Sequence, residues 1–214
     1  MRKIPTGLLF VTALLILFPT TNALAQSETP RVEFGAQYTL LRLKAGSPIN
    51  DPILQITVPD FVATDHGFGG RLTFNLTDFI GLESEINHFP EERANFAEPL
   101  YINSRRLQGL FGVKAGVRDK KKGLFGKLRP GFIHFGEGTP DPRIQTLVPV
   151  PPRAGSTEFA LDIGGVLEFY PSLHTALRFD LGDTIIRYGR GNVSGRPSFT
   201  SHNLQLSIGV GFRF

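Results

Sequence analysis

From Arg31 to Phe214 the chain alternates apolar and polar residues with a period of two, in segments separated by proline- and glycine-rich or charged stretches. No segment keeps a helical stripe through three turns, so the pattern predicts strands throughout. Eight are predicted. The first, over about 31–43, sets Val32, Phe34, Ala36, Tyr38 and Leu40 against Glu33, Gly35, Gln37 and Thr39. In the second, Phe68, Gly70, Leu72, Phe74 and Leu76 alternate with Gly69, Arg71, Thr73 and Asn75, and in the third Ile80, Leu82 and Ile86 oppose Gly81, Glu83, Glu85 and Asn87. The fourth places Phe111, Val113, Ala115 and Val117 opposite Gly112, Lys114, Gly116 and Arg118. The fifth places Leu128 and Phe132 opposite Lys127, Arg129 and Gly131, with Pro130 predicting a bulge or an irregular strand. The sixth alternates Phe159, Leu161, Ile163, Gly165, Leu167 and Phe169 with Glu158, Ala160, Asp162, Gly164 and Glu168, and the seventh Leu177, Phe179 and Leu181 with Arg178, Asp180 and Gly182. The eighth is the cleanest: His202, Leu204, Leu206, Ile208, Val210, Phe212 and Phe214 face one way, and Asn203, Gln205, Ser207, Gly209, Gly211 and Arg213 the other.

The connections alternate short and long. Thr77 to Phe79, Asp119 to Gly123 and Pro171 to His174 are short; those over about 44–66, 89–106, 136–156 and 183–199 are long and hold most of the prolines. A closed up-and-down membrane barrel has this asymmetry, with short periplasmic turns on one rim and long external loops on the other. An even strand number then puts both termini on the periplasmic side.

Composition fits this picture. Mean hydropathy is −0.03 over 214 residues, which excludes a polytopic helical membrane protein but not a barrel, whose two faces cancel in the average. The segment preceding the strands has a secretory pattern, with basic Arg2 and Lys3, an apolar run from Leu8 to Phe18 and a small-residue site at Ala23-Leu24-Ala25. A signal peptide over 1–25 and a barrel domain over 26–214 are therefore expected. Without Arg2 and Lys3 the formal charge falls from +4 to +2, which gives no reason to expect a nucleic-acid partner. The absence of cysteine excludes a disulfide framework, thiol catalysis and thiolate-bound metals.

Alternation alone does not say which face lies inside. Three features point to an apolar exterior. The glycines of the strands gather on the charged face, as a narrow lumen crowded with long side chains requires. That face is charge-balanced, with Glu33, Glu83, Glu85, Asp162, Glu168 and Asp180 against Arg71, Lys114, Arg118, Lys127, Arg129, Arg178 and Arg213, so enclosed ions can pair. The third is the C-terminal segment Leu204 to Phe214. Its alternating Leu206, Ile208, Val210 and Phe212 and its terminal Phe214 resemble the closing strand by which bacterial outer-membrane proteins are recognised during assembly. Asn75 to Glu85 also looks like the first hairpin of small barrels of the OmpA/OmpX type.

This resemblance implies an all-β, eight-stranded antiparallel transmembrane barrel in the outer membrane of a Gram-negative-type bacterium. It implies contact with outer-membrane lipid and lipopolysaccharide, and with the barrel assembly machinery and periplasmic chaperones during biogenesis. There is no tryptophan, so an aromatic girdle has to come from residues such as Tyr38, Phe79, Phe89, Phe125, Phe169 and Tyr170. No cofactor is expected. His88 and His202 fall near the outer rim beside Ser84, Ser201 and Ser207, but Ser207 has the opposite parity to His202, so a hydrolytic set is not formed there. His134 and His174 read as rim residues. The charged column is either a salt-bridged filling or a narrow ion path, and eight strands favour the filling. The expected function is non-enzymatic, in envelope structure or surface contact through external loops whose ligand the sequence does not define. A lipid A-modifying enzyme and a narrow channel are the alternatives.

Overall fold

The computed structural model describes residues 30–45, 49–51, 56–58, 61–90, 101–102, 105–140, 152, 154–189 and 198–214. The expected signal segment lies outside them. Among the described residues eight strands close an antiparallel barrel: β1 (Val32–Ala45), β2 (Phe61–Asn75), β3 (Ile80–Phe89), β4 (Arg106–Arg118), β5 (Lys122–Phe135), β6 (Ser156–Ser172), β7 (Thr175–Tyr188) and β8 (Phe199–Arg213). Each pairs with the next, and β8 closes on β1 from Glu33↔Arg213 to Arg42↔Leu204.

Cross-strand partners followed once around the wall run from Val32 through Phe74, Leu82, Val113, Leu128, Ile163, Asp183 and Leu204 back to Arg42. The circuit returns to β1 about ten residues further on, a stagger that goes with strands tilted by roughly 40° and a lumen narrow enough for side chains to fill.

The three short turns are fixed by local bonds. Thr77 Oγ1 accepts from the backbone N–H groups of Phe79 (3.1 Å) and Ile80 (3.0 Å), and Ser172 Oγ from that of His174 (3.2 Å). Asp119 Oδ1 accepts from the N–H groups of Lys121 (2.7 Å) and Lys122 (2.8 Å), and these bonds hold its carboxyl below the usual carboxylate range.

The predicted faces are the observed faces, and the barrel is inverted relative to a soluble one. Phe68, Phe111, Leu124 and Phe159 are among its most exposed apolar side chains, while Lys114 and Arg129 are fully buried. The aromatic girdle is corrected. Tyr38, Phe79 and Phe169 do face outward, but Phe89, Phe125 and Tyr170 are buried inside, because they share strand parity with Asn87, Lys127 and Glu168. At Pro130 the irregular strand is found and the bulge is not. The proline faces outward; pairing between β4 and β5 is interrupted between Leu110↔Gly131 and Val113↔Leu128 and resumes in the same register.

Two kinds of inward glycine emerge. A Cβ on Gly182 would meet Asp162 Oδ1 at 2.5 Å and Lys127 Nζ at 3.0 Å, so this glycine leaves room for luminal side chains. At Gly131, Gly112 and Gly164 a Cβ would instead meet the neighbouring strand's carbonyl oxygen at 1.9–2.1 Å, so these permit the tight curvature of the wall.

Several strands outrun their predicted lengths. β2 starts at Phe61 and β7 reaches Tyr188, which turns parts of the expected long connections into wall. Beyond the barrel, Ile49–Asp51 pairs with Ile56–Val58, a short two-stranded extension within the β1–β2 connection. Tyr101–Ile102 pairs with Thr139–Pro140, joining the β3–β4 connection to the β5–β6 connection.

The purified protein in detergent is expected to migrate differently on gels before and after boiling. Gly131→Val should abolish that difference, since the carbonyl it would strike belongs to the wall.

Candidate functional site: the luminal column

Alternation on all eight strands sends six acids and seven bases into the lumen, and every one of the thirteen predicted side chains is buried there. At the end carrying the short turns, Glu33 meets Arg213 Nε (3.2 Å) and Arg118 (3.4 Å). Above it Lys114 Nζ lies 2.7 Å from Glu168 and 3.7 Å from Glu83. Arg178 bonds both oxygens of Glu83, and its NH2 group donates to Asp180 (2.8 Å). Further in, Arg129 donates to Asp162 through Nε (2.9 Å) and NH2 (2.6 Å) and to Glu85 through NH1 (2.6 Å). Lys127 bridges Asp162 (2.8 Å) and Asp180. The fork of a guanidinium suits such shared contacts, since one side chain serves two or three carboxylates at once.

Two of the three inward aromatics, Phe125 and Tyr170, have a role here. Lys114 Nζ lies 4.7 Å and the Arg118 guanidinium 5.2 Å from the Phe125 ring, and the Arg213 guanidinium stands 4.0 Å from the Tyr170 ring. Ring faces supply negative potential where no carboxylate fits. Tyr170 also donates its hydroxyl to Glu168 (2.7 Å).

Every acid of the predicted set thus has at least one basic partner, and six bases share six acids. The seventh base is Arg71. Its NH1 group donates to Gln37 Oε1 at 3.3 Å, and among the described residues no carboxylate stands within ion-pair distance of it.

Two layers complete the filling toward the rim of the long connections. The first is a network of amides and hydroxyls: Gln37 donates to Asn87 (2.9 Å), Asn87 to Gln108 (2.8 Å) and Gln108 to Gln205 (2.9 Å). Thr184 donates to Gln205 (2.8 Å), and Thr39 bonds Ser207 (2.9 Å). The second is apolar. Leu41, Leu43, Phe89, Leu110, Ile133, Phe135, Ala160 and Ile186 form one buried cluster with Tyr188 packed on it. At the same end Arg106 pairs with Asp65.

Sequence reasoning did not include Asp65, Arg106 or the apolar layer. Asp65 fell within an expected loop, although counting back in twos from Arg71 would have put it on the inner face. The other predicted positions differ in kind. The alternating apolar residues Leu206, Ile208, Val210 and Phe212, expected to carry an assembly signal, form the outer face of β8, where the Phe34 ring lies 5.6 Å from those of Phe212 and Phe214. His202 is exposed and pairs through Nδ1 with Asp183 (2.6 Å), whereas Ser201 and Ser207 are buried on the other side of the wall and cannot reach it. Among the described residues no group of three or more histidines, cysteines or carboxylates is placed to hold a metal ion.

The sequence matches no protein-family model and no curated protein. In three dimensions it is similar to Ail, the attachment invasion locus protein of Yersinia pestis, at 11% identity over 86% of this chain and 99% of that one, with a TM-score of 0.52. It is likewise similar to the outer membrane protein OprG of Pseudomonas aeruginosa, at 12% identity over 87% and 97%, with a TM-score of 0.54. At these identities the likeness is one of fold. The chain has the fold of a small bacterial outer-membrane β-barrel, as the OmpA/OmpX-type resemblance implied.

Arg129→Met should destabilise the barrel by about 3–5 kcal/mol in urea unfolding in micelles, because it leaves buried Glu85 without its cation and Asp162 with Lys127 alone. Arg71→Met should cost less than about 1 kcal/mol, because no buried carboxylate is left alone.

Proposed function

We propose that the protein is a non-enzymatic barrel of the bacterial outer membrane, with both termini periplasmic, that serves envelope structure or surface contact through its long connections. Biogenesis would present the Leu206 to Phe214 face to the assembly machinery after escort by periplasmic chaperones. Outer-membrane lipid and lipopolysaccharide would then surround the wall.

One observation carries the reading: the lumen is filled in series by paired ions, bonded amides and an apolar cluster. A conducting path needs water along its length, and packed Leu41, Phe89, Ile133 and Ile186 leave a dry stretch at one end. The wall is thus a support, and variation is free to concentrate in the connections it carries. The pairing of Tyr101–Ile102 with Thr139–Pro140 supports this, since it links two of those connections into a common platform.

Purified protein in planar bilayers should give no single-channel events; discrete, reproducible openings would contradict the filled lumen. Lipid A from cells with and without the protein should have the same mass profile, and a changed acyl pattern would contradict the non-enzymatic reading.

A further inference from the structure

The outward face of the wall changes character at one level, just above its apolar run. On β1 the first polar outward side chain beyond Leu40 is Arg42. On β2 it is His66, beyond Phe68; on β3 His88, beyond Ile86; on β5 His134, beyond Phe132; and on β8 His202, beyond Leu204. The register brings these residues near one height: Phe68 pairs with His88, Leu107 with both His88 and His134, and Leu204 with Arg42. Four of the chain's five histidines therefore share one rim, the one from which the long connections leave.

Three of the four are held in place. His134 Nδ1 bonds Thr157 Oγ1 (2.8 Å) on β6, His202 Nδ1 bonds Asp183 Oδ2 (2.6 Å) on β7, and His66 Nδ1 bonds the Tyr38 hydroxyl on β1. Each of these three rings is thus fixed by a side chain of the adjacent strand.

The charges around them are one-sided. Facing His202 are Asp183 and Arg187 of β7 and Arg42 and Lys44 of β1. Next to His66 are Tyr38 and Arg42 of β1 and His88 of β3; next to His88 are His66 and Arg105, which lies at the start of β4. Beside His134 are Arg105 and, on β6, the uncharged Thr157. At the described outward strand positions of this level, Asp183 is the single acid against Arg42, Lys44 and Arg187; just beyond the strand ends Arg105 and Glu137, both exposed, offset one another. The lumen behind the same wall balances nearly every charge it holds. A surface that leaves this many cations unmatched, directly above an apolar belt, matches an anion that arrives on an apolar tail.

We propose that this collar is a binding site for the phosphate headgroups of anionic membrane lipids, and that its histidines strengthen the grip as they become protonated below neutral pH. The acyl chains lie along the apolar face, and Arg42, Lys44 and Arg187 supply the part of the attraction that does not vary with pH. Each imidazole that takes up a proton adds to that fixed positive charge. The inference rests on the membrane placement proposed above.

The test uses the full mature protein, folded in phosphatidylcholine nanodiscs and checked for heat-modifiable migration. A chain that never becomes heat-modifiable or stays soluble without lipid contradicts the membrane placement, and the collar with it. For the folded protein, native mass spectrometry and competition measure retention of phosphatidylglycerol against phosphatidylcholine of the same chain length, at pH 5.5 and pH 8. Phosphatidylglycerol keeps one negative charge across that range, so any pH dependence comes from the protein. The expected result is a preference for phosphatidylglycerol at both pH values, roughly tenfold stronger at the lower one. Inorganic phosphate at the same concentration should not displace the lipid; displacement would assign the site to free phosphate and overturn the proposal. The variant with His66→Gln, His88→Gln, His134→Gln and His202→Gln should lose the pH dependence, its preference at pH 5.5 no longer exceeding that at pH 8. Should it not fold, the double variants His66→Gln/His88→Gln and His134→Gln/His202→Gln should each lose part of that dependence. Equal retention of the two lipids by folded wild type, or an undiminished pH dependence in the histidine variants, overturns the proposal.

Discussion

The mutual neutralisation of ions in the lumen is the constraint from which the remaining features follow. An isolated carboxylate or guanidinium inside a closed wall costs several kcal/mol, so the charges line the interior as pairs with further hydrogen bonds, Arg71 with its bond to Gln37 being the exception among the described residues. Arg129, within ion-pair distance of Glu83, Glu85, Asp162 and Asp180, and Arg178, bonded to Glu83, Glu168 and the Asp180 of its own strand, are the hubs of that arrangement. Because those carboxylates come from β3, β6 and β7, the pairs lock strands together across the lumen as well as around it. Register errors of one residue would turn these ions toward lipid. The column therefore specifies the wall as much as it stabilises it.

An interior built of charge frees the exterior to be apolar, and curvature links the two. With eight strands and this stagger the wall is tight, and carbonyl oxygens of one strand press on the next where Gly112, Gly131 and Gly164 leave out a side chain. The same glycine positions alternate with Phe111, Phe132 and Ile163 outside. The near-zero mean hydropathy is then the sum of two opposed faces. The apolar cluster of Leu41, Phe89, Ile133 and Ile186 reverses the rule locally: near the rim of the long connections the barrel has an ordinary dry core inside, and histidine and arginine outside.

Much of this was legible because period-two alternation assigns a face without knowledge of partners. Once Arg71, Lys114 and Arg178 were placed on one side, all thirteen charges followed. Two kinds of feature escaped. Phe89, Phe125 and Tyr170 were read by residue type, as rim aromatics, although their parity with Asn87, Lys127 and Glu168 placed them inside; cation–π contact with Lys114, Arg118 and Arg213 gives Phe125 and Tyr170 a reason to be there. Asp65 and Ile186 lie beyond the predicted strand ends, where the alternation weakens, whereas backbone pairing carries β2 down to Phe61 and β7 up to Tyr188; Leu41, Leu43 and Ala160 lie within predicted strands, but as apolar residues on a charged face they give no signal of a common cluster. Which ions pair depends on reach across the lumen between strands distant in sequence, such as Arg178 with Glu83, and no spacing encodes that.

The central claim is that charge faces inward and apolar side chains face lipid. The chain lacks cysteine, so single cysteines can be placed at successive positions from Leu204 to Val210 and spin-labelled in lipid bilayers. Labels at Leu204, Leu206, Ile208 and Val210 should be relaxed by lipid-soluble oxygen, and those at Gln205, Ser207 and Gly209 should not. The opposite alternation, with oxygen reaching the Gln205, Ser207 and Gly209 positions, would contradict the inverted barrel.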